Sequence, residues 1–217
     1  MIRISCEQYL EYLEIAAEAI RQQKDYITEL DAAIADGDHW LNVTIGLDKV
    51  LAQREELSAS RDFTEFFKKL AMAVMPAMGG TSGALYGSAY LSAAKALAGT
   101  VQMDAEQVAV MLKSWAEAFM ARGNAKPGDK TMVDAIWPAA EGYEAALKEG
   151  KTEHEALTAM KELALAGAES TRGMEAAKGR ASNQPDKGVG HLDPGAVTMA
   201  IQLECLADYL EKYGGRD

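Results

Sequence analysis

The chain has 217 residues, 48% of them hydrophobic and 25% charged, with a formal net charge of −11. That length and apolar content allow one well-packed domain and exclude a disordered chain. The negative charge excludes non-specific nucleic-acid binding and attraction to an anionic membrane, so any phosphate handled here needs cations. Cys6 and Cys205 are too few for a disulfide framework or a four-cysteine zinc site and read as free thiols in a reducing cytoplasm. Acidic residues at Glu7, Glu11 and Glu14 interrupt any apolar leader. The uncharged stretch from Leu70 to Ala94 is too broken by Pro76, Gly79, Gly80, Gly83 and Gly87 to span a bilayer.

The dominant period is helical, and no segment alternates with the period of two that a strand requires. A first helix is expected at 5–24, opened by the capping pair Ser5 and Gln8 and presenting Tyr9, Leu10, Leu13, Ala16, Ala17 and Ile20 on one face. Helices follow at 42–56 and at 62–77, where Asp62 and Glu65 mark the start and Phe66, Phe67, Leu70 and Val74 form the apolar stripe. Further helices are expected at 83–97, 104–122 (Asp104 with Gln107), 131–148, 152–176 (Thr152 with Glu155) and 195–213 (Asp193 with Pro194). The expectation is therefore an all-α chain, one domain over 1–217, arranged as an eight-helix antiparallel up-and-down bundle.

The connections alternate in character. Leu57–Arg61, Ala98–Met103 and Glu149–Lys151 are short and plain, whereas 31–41, 78–82, 123–130 and 177–194 are rich in Gly and Asp. In an up-and-down arrangement alternate connections fall at the same end, so the four rich ones should converge on one rim as a composite site.

The first rich connection holds Asp31, Asp36 and Asp38 around Gly37, followed by His39, Trp40, Leu41 and Asn42. Three carboxylates in eight residues suit a hard divalent cation, or else a solvated turn with Asp36 or Asp38 capping the next helix. An EF-hand is excluded, because the position that needs Glu is Leu47, and no second histidine lies at zincin spacing from His39. Gly79-Gly80-Thr81-Ser82-Gly83 before a helix exposes backbone N–H groups that suit a phosphate, without the lysine of a Walker loop. In the remaining two connections, Lys126-Pro127-Gly128-Asp129-Lys130 is ordinary turn chemistry, and Arg180 is the one obvious guanidinium clamp for a phosphate.

Taken together, Asp31-x4-Asp36-Gly37-Asp38-His39-x2-Asn42, Gly79-Gly80-Thr81-Ser82-Gly83, Lys126-Pro127-Gly128-Asp129-Lys130-Thr131-Met132 and Gly179-Arg180-Ala181-Ser182 with Gly190-His191-x-Asp193-Pro194-Gly195 resemble the nucleotide-binding L subunits of bacterial dihydroxyacetone kinases. The resemblance runs over nearly the whole chain. It implies an eight-helix barrel with ADP or ATP at one end. It implies two Mg²⁺ ions on Asp31, Asp36 and Asp38, which with Arg180 form the catalytic group. It implies nucleotide contacts from His39, Leu41, Asn42, Gly80, Thr81, Gly123, Met132, Arg180, Asp193 and Gly195. The partners it implies are a K-type subunit carrying the ketose and an M-type phosphocarrier of the phosphoenolpyruvate-dependent phosphotransferase system, with a homodimer among the permitted assemblies. Two alternatives keep the same site: an ATP-dependent kinase for another ketose such as a tetrulose, or a non-catalytic nucleotide-dependent regulator. Ala35 and Trp40 stand where the family usually has Gly, and Trp40 is placed to stack on a purine, cap the site or alter partner docking.

Overall fold

The structure, a computed structural model, describes residues 1–214; the last three residues of the expected 1–217 span lie outside them. The described residues form ten α-helices: α1 (Cys6–Gln22), α2 (Lys24–Ile34), α3 (His39–Leu51), α4 (Arg54–Ser58), α5 (Phe63–Ala77), α6 (Ser82–Ala96), α7 (Ala105–Gly123), α8 (Val133–Lys148), α9 (Glu153–Ser170) and α10 (Pro194–Tyr213). Short 3-10 turns lie at Thr171–Gly173 and Arg180–Asn183.

The eight expected helices are present with one more, α2, and the expected 42–56 helix is broken by a turn at residues 52–53 into α3 and the short α4. The sequence between 24 and 34 is helical, so the acidic turn is only the four residues between α2 and α3, and α3 begins at His39 rather than Asn42. Helix α9 stops at Ser170, six residues short of the expected end, where the Thr171 hydroxyl folds back onto the Ala168 carbonyl at 2.7 Å.

The capping arithmetic holds at most starts. Ser5 with Gln8, Asp104 with Gln107 and Thr152 with Glu155 each form both reciprocal bonds of a capping box. At α5 the box is half made. Asp62 accepts from the Glu65 N–H, but the Glu65 carboxylate turns to the backbone and guanidinium of Arg61 instead. Asp193 accepts from the Ala196 N–H at 2.7 Å, with Pro194 as the first helical residue, as read from the sequence.

The eight long helices pack on their neighbours in order: α3 on α5, α5 on α6, α6 on α7, α7 on α8, α8 on α9 and α9 on α10. Helix α1 then touches both α10 and α3, so the series returns to its start. The interior is a nearly continuous hydrophobic cluster that includes every apolar residue expected to face inward on α1 and α5. Its centre is aromatic. Tyr9 meets Tyr12, Phe66 and Phe67 edge-on at ring separations of 5.2–5.5 Å. Phe67 stacks on Tyr90, which meets Trp115 edge-on.

The plain connections meet at one end. Ile4 and Met103 exchange backbone hydrogen bonds of 2.9–3.0 Å, the Phe63 N–H donates to Thr100, and the Ile2 N–H donates to Glu153. The glycine-rich connections meet at the other.

Close helix contact at that second end depends on glycine. A Cβ at Gly167 of α9 would overlap the Asp134 carbonyl oxygen of α8. Gly167→Ala is therefore expected to cost about 1–3 kcal/mol of unfolding free energy, because backbone cannot yield as a side chain can. Urea unfolding monitored by circular dichroism measures it, and a midpoint equal to wild type contradicts this packing.

Candidate functional site

The acidic turn is built by helix ends. The Asp31 side chain, on the last turn of α2 and 5% exposed, accepts the His39 N–H at 3.0 Å and so caps α3 from outside that helix. Asp38 occupies the cap position of α3 without making a side-chain cap bond. Gly37 takes φ 76°, a left-handed turn that glycine enters without penalty. Ala35 has φ −149°, so the chain passes this position without glycine. The outcome is three carboxylates, Asp31, Asp36 and Asp38, with ligand oxygens within 4.8 Å of one another. Like charges so close repel, and a cation beside them relieves that repulsion. Arg180, from the 3-10 turn of the last rich connection, supplies one: its guanidinium pairs with Asp36 and lies 3.9 Å from Asp38.

The same cleft is lined by His39, Asn42, Gly79, Gly80, Thr81, Lys130, Met132, Lys178, Asp193 and Gly195. All four rich connections thus contribute to one cavity, as their alternation predicts. Gly79 lies against the Asn42 side chain, whose carbonyl oxygen a Cβ would overlap, and Gly80 takes φ 59° at the turn into α6. The His39 Nε2 bonds the Thr198 hydroxyl at 2.9 Å. Burial lowers the His39 pKa, against the pull of Asp31 and Asp38. Burial likewise pushes the Asp193 carboxyl up to about 7, opposed by its bond from the Ala196 N–H and by Lys130. A bound cation would draw that carboxyl back down.

Beside the acidic cleft lies a second, mainly apolar one of about 270 Å³, lined by Ala84, Leu85, Phe119, Arg122, Gly123, Ala125 and Val133. The two share Thr81, Leu85, Thr131, Met132 and Lys178. Of the residues expected at the site, Asp31, Asp36, Asp38, His39, Asn42, Gly80, Thr81, Met132, Arg180, Asp193 and Gly195 line the acidic cleft, and Gly123 lines the apolar one. Leu41 lines neither; its side chain is 51% exposed on the outer face of α3. Lys178, Phe119 and Arg122 were not expected. Lys178 stands directly before Gly179-Arg180, and Phe119 and Arg122 share one helical face; these were the available signals.

Trp40 does not enter the site. Its indole N–H donates to the Ile20 carbonyl at 3.0 Å, and the Lys24 ammonium lies 5.1 Å from the ring centre. The ring seals the α1–α2 corner and neither stacks on the clefts nor caps them. Trp40→Phe is therefore expected to leave nucleotide affinity within about twofold while lowering stability by about 1 kcal/mol for the lost hydrogen bond. Calorimetry and thermal melting check the two halves, and a tenfold loss of affinity would place Trp40 in the site.

Chemically, the arrangement could hold a metal-bound polyphosphate with a flat apolar group beside it. Comparison with known proteins gives the family. The DAK2 domain family matches residues 33–208. The chain is 32% identical over 204 residues to the ADP-binding subunit DhaL of the PEP-dependent dihydroxyacetone kinase of Escherichia coli, covering 94% of this chain and 97% of that one. It is 35% identical over 205 residues to the corresponding subunit of the PTS-dependent dihydroxyacetone kinase of Lactococcus lactis, covering 94% and 98%. Human triokinase/FMN cyclase is 31% identical over 199 residues, which are 92% of this chain and 34% of that protein. Among solved structures, the dihydroxyacetone kinase from C. freundii in complex with AMP-PNP and Mg²⁺ shares the fold, with a TM-score of 0.68 and 24% identity over 92% of this chain and 33% of that one. The chain belongs to the DAK2 domain family, on the branch of the DhaL subunits of dihydroxyacetone kinases.

Proposed function

We propose that the whole chain, 1–217, works as the nucleotide subunit of a dihydroxyacetone kinase in the cytoplasm. It holds ADP or ATP with Mg²⁺ and passes the terminal phosphoryl group to a ketose carried by a K-type partner subunit. An M-type phosphocarrier fed from phosphoenolpyruvate recharges the ADP in place. The observation that carries this reading is the set of three carboxylate oxygens within 4.8 Å, facing Arg180 across a cleft that four connections build.

The residues present fit Mg²⁺, which prefers oxygen ligands and binds through carboxylates together with substrate phosphates. Asp31, Asp36 and Asp38 would hold two such ions. ATP and the three aspartates bring roughly seven negative charges, and two Mg²⁺ ions leave about three. When bound, the ions supply charge neutralisation at the phosphates. The chain supplies the rest. Backbone N–H groups at Gly80 and Thr81 orient the phosphates at the start of α6. Arg180 leaves its carboxylate partners to meet the charge that spreads over the transferring group. The apolar cleft of Leu85, Phe119, Met132 and Val133 takes the base. The acceptor comes with the partner, whose identity decides between dihydroxyacetone and another ketose.

The test combines the purified chain with a K-type subunit, a phosphocarrier system, phosphoenolpyruvate and dihydroxyacetone. Sugar phosphate is expected only when every component and Mg²⁺ are present, and ADP is expected to survive gel filtration on the protein. If nucleotide leaves on desalting and added ATP restores turnover, the ATP-dependent alternative replaces the phosphocarrier route. No Mg²⁺-dependent ADP binding by calorimetry, with no product from either donor, overturns the reading.

A further inference from the structure

Lys130 is 1% exposed and has φ 60°. Both facts are costly. A left-handed backbone is uncommon for a long side chain, and an ammonium taken out of water must find replacement partners. Among the described residues it makes no ion pair within 4.0 Å. Its Nζ donates instead to two backbone carbonyls, those of Thr171 and His191.

Those two carbonyls stand at opposite sides of one neck. The segment from Thr171 to Asp193 leaves α9, carries Lys178 and Arg180 to the acidic cleft, and returns to α10. At the neck, the Gly190 N–H donates to Arg172 at 2.8 Å and the Asp193 N–H to the Thr171 hydroxyl at 2.9 Å. Lys130 bridges both strands of the neck from the neighbouring connection, and the residue before it, Asp129, accepts the Ala177 N–H at 3.1 Å. A side chain needed only for filling would be apolar, and a backbone needed only for the turn would be glycine.

We propose that Lys130 is a positioning residue, clamping the neck of the 171–193 segment so that Arg180 is delivered to Asp36, Asp38 and the phosphates they hold. The inference rests on the nucleotide reading above and concerns a residue that reading leaves without a role.

A double-mutant cycle tests it. Mg·ADP affinity is measured by calorimetry for wild type, Lys130→Met, Arg180→Ala and the double variant, with amide hydrogen exchange followed across residues 174–190. Lys130→Met is expected to weaken binding by about 10-fold to 100-fold, as loss of a group that orients a ligand does. If Lys130 acts through Arg180, the double variant binds no more weakly than Arg180→Ala alone. Exchange should rise in 174–190 and stay unchanged in the long helices. Lys130→Gly, which relieves the left-handed backbone while deleting the ammonium, should reproduce the binding loss, and serves if the Met variant folds poorly. Fully additive losses, or unaltered exchange in 174–190, overturn the proposal while leaving the nucleotide reading intact. Failure of the wild type to bind Mg·ADP overturns both.

Discussion

Asp36→Asn is expected to lower Mg·ADP affinity by about 100-fold, roughly 2.7 kcal/mol. The exchange is isosteric and the side chain is partly exposed, so packing is untouched. What changes is charge: one of three clustered carboxylate oxygens becomes a neutral amide oxygen, and Arg180 loses its closest partner. Stability of the ligand-free protein should hardly move. The lost Arg180–Asp36 pair lies at the surface, where such pairs contribute about 0–1 kcal/mol, and relief of repulsion among the three carboxylates offsets it. Calorimetry at fixed Mg²⁺ gives the affinity. A value within threefold of wild type would remove Asp36 from the metal set.

The second large effect is on turnover. Arg180→Ala is expected to reduce phosphoryl transfer to the partner-bound ketose by about 10³-fold, the lower end of what a guanidinium contributes to such transition states. The side chain is 59% exposed and touches the protein mainly through the acidic turn, so the ligand-free melting temperature should shift by less than about 3 °C. Turnover is read in the reconstituted system and melting in parallel. A melting temperature lowered by ten degrees, with turnover falling only in proportion to unfolded protein, would make Arg180 a structural residue.

The elements that sequence reading located best are those whose signals are local. A capping box closes within four residues, so the starts of α1, α7 and α9 stand in the sequence itself. The alternation of plain and glycine-rich connections is equally local, and it placed the site at one end. Helix α2 was missed because its inward residues, Ile27, Asp31 and Ile34, include an aspartate buried to cap a different helix; in the sequence Asp31 belongs to the acidic cluster and reads as loop. Helix α4 begins inside the span expected as one helix over 42–56, and at five residues it shows too little period to be told apart from α3. The role of Lys130 depends on carbonyls 41 and 61 residues away, and no spacing rule reaches so far. Two of the three roles open to Trp40, stacking on a purine and capping the site, fail for a related reason. His39, the residue before it, lines the cleft, but the indole turns to Ile20 at the end of α1, a pairing set by how α1 and α3 pack.

The return of the helix series to its start has a topological consequence. Gly214 lies beside the Ile2 backbone, a Cβ there reaching within 3.5 Å of the Ile2 Cα, at the end remote from the acidic cleft. A peptide bridge of a few residues could span that gap while the chain is cut open at the exposed Gly150 turn, which also lies at the remote end. Such a circular permutant would keep all four glycine-rich connections unbroken, so the order in which the helices are synthesised is separable from the assembly of the site.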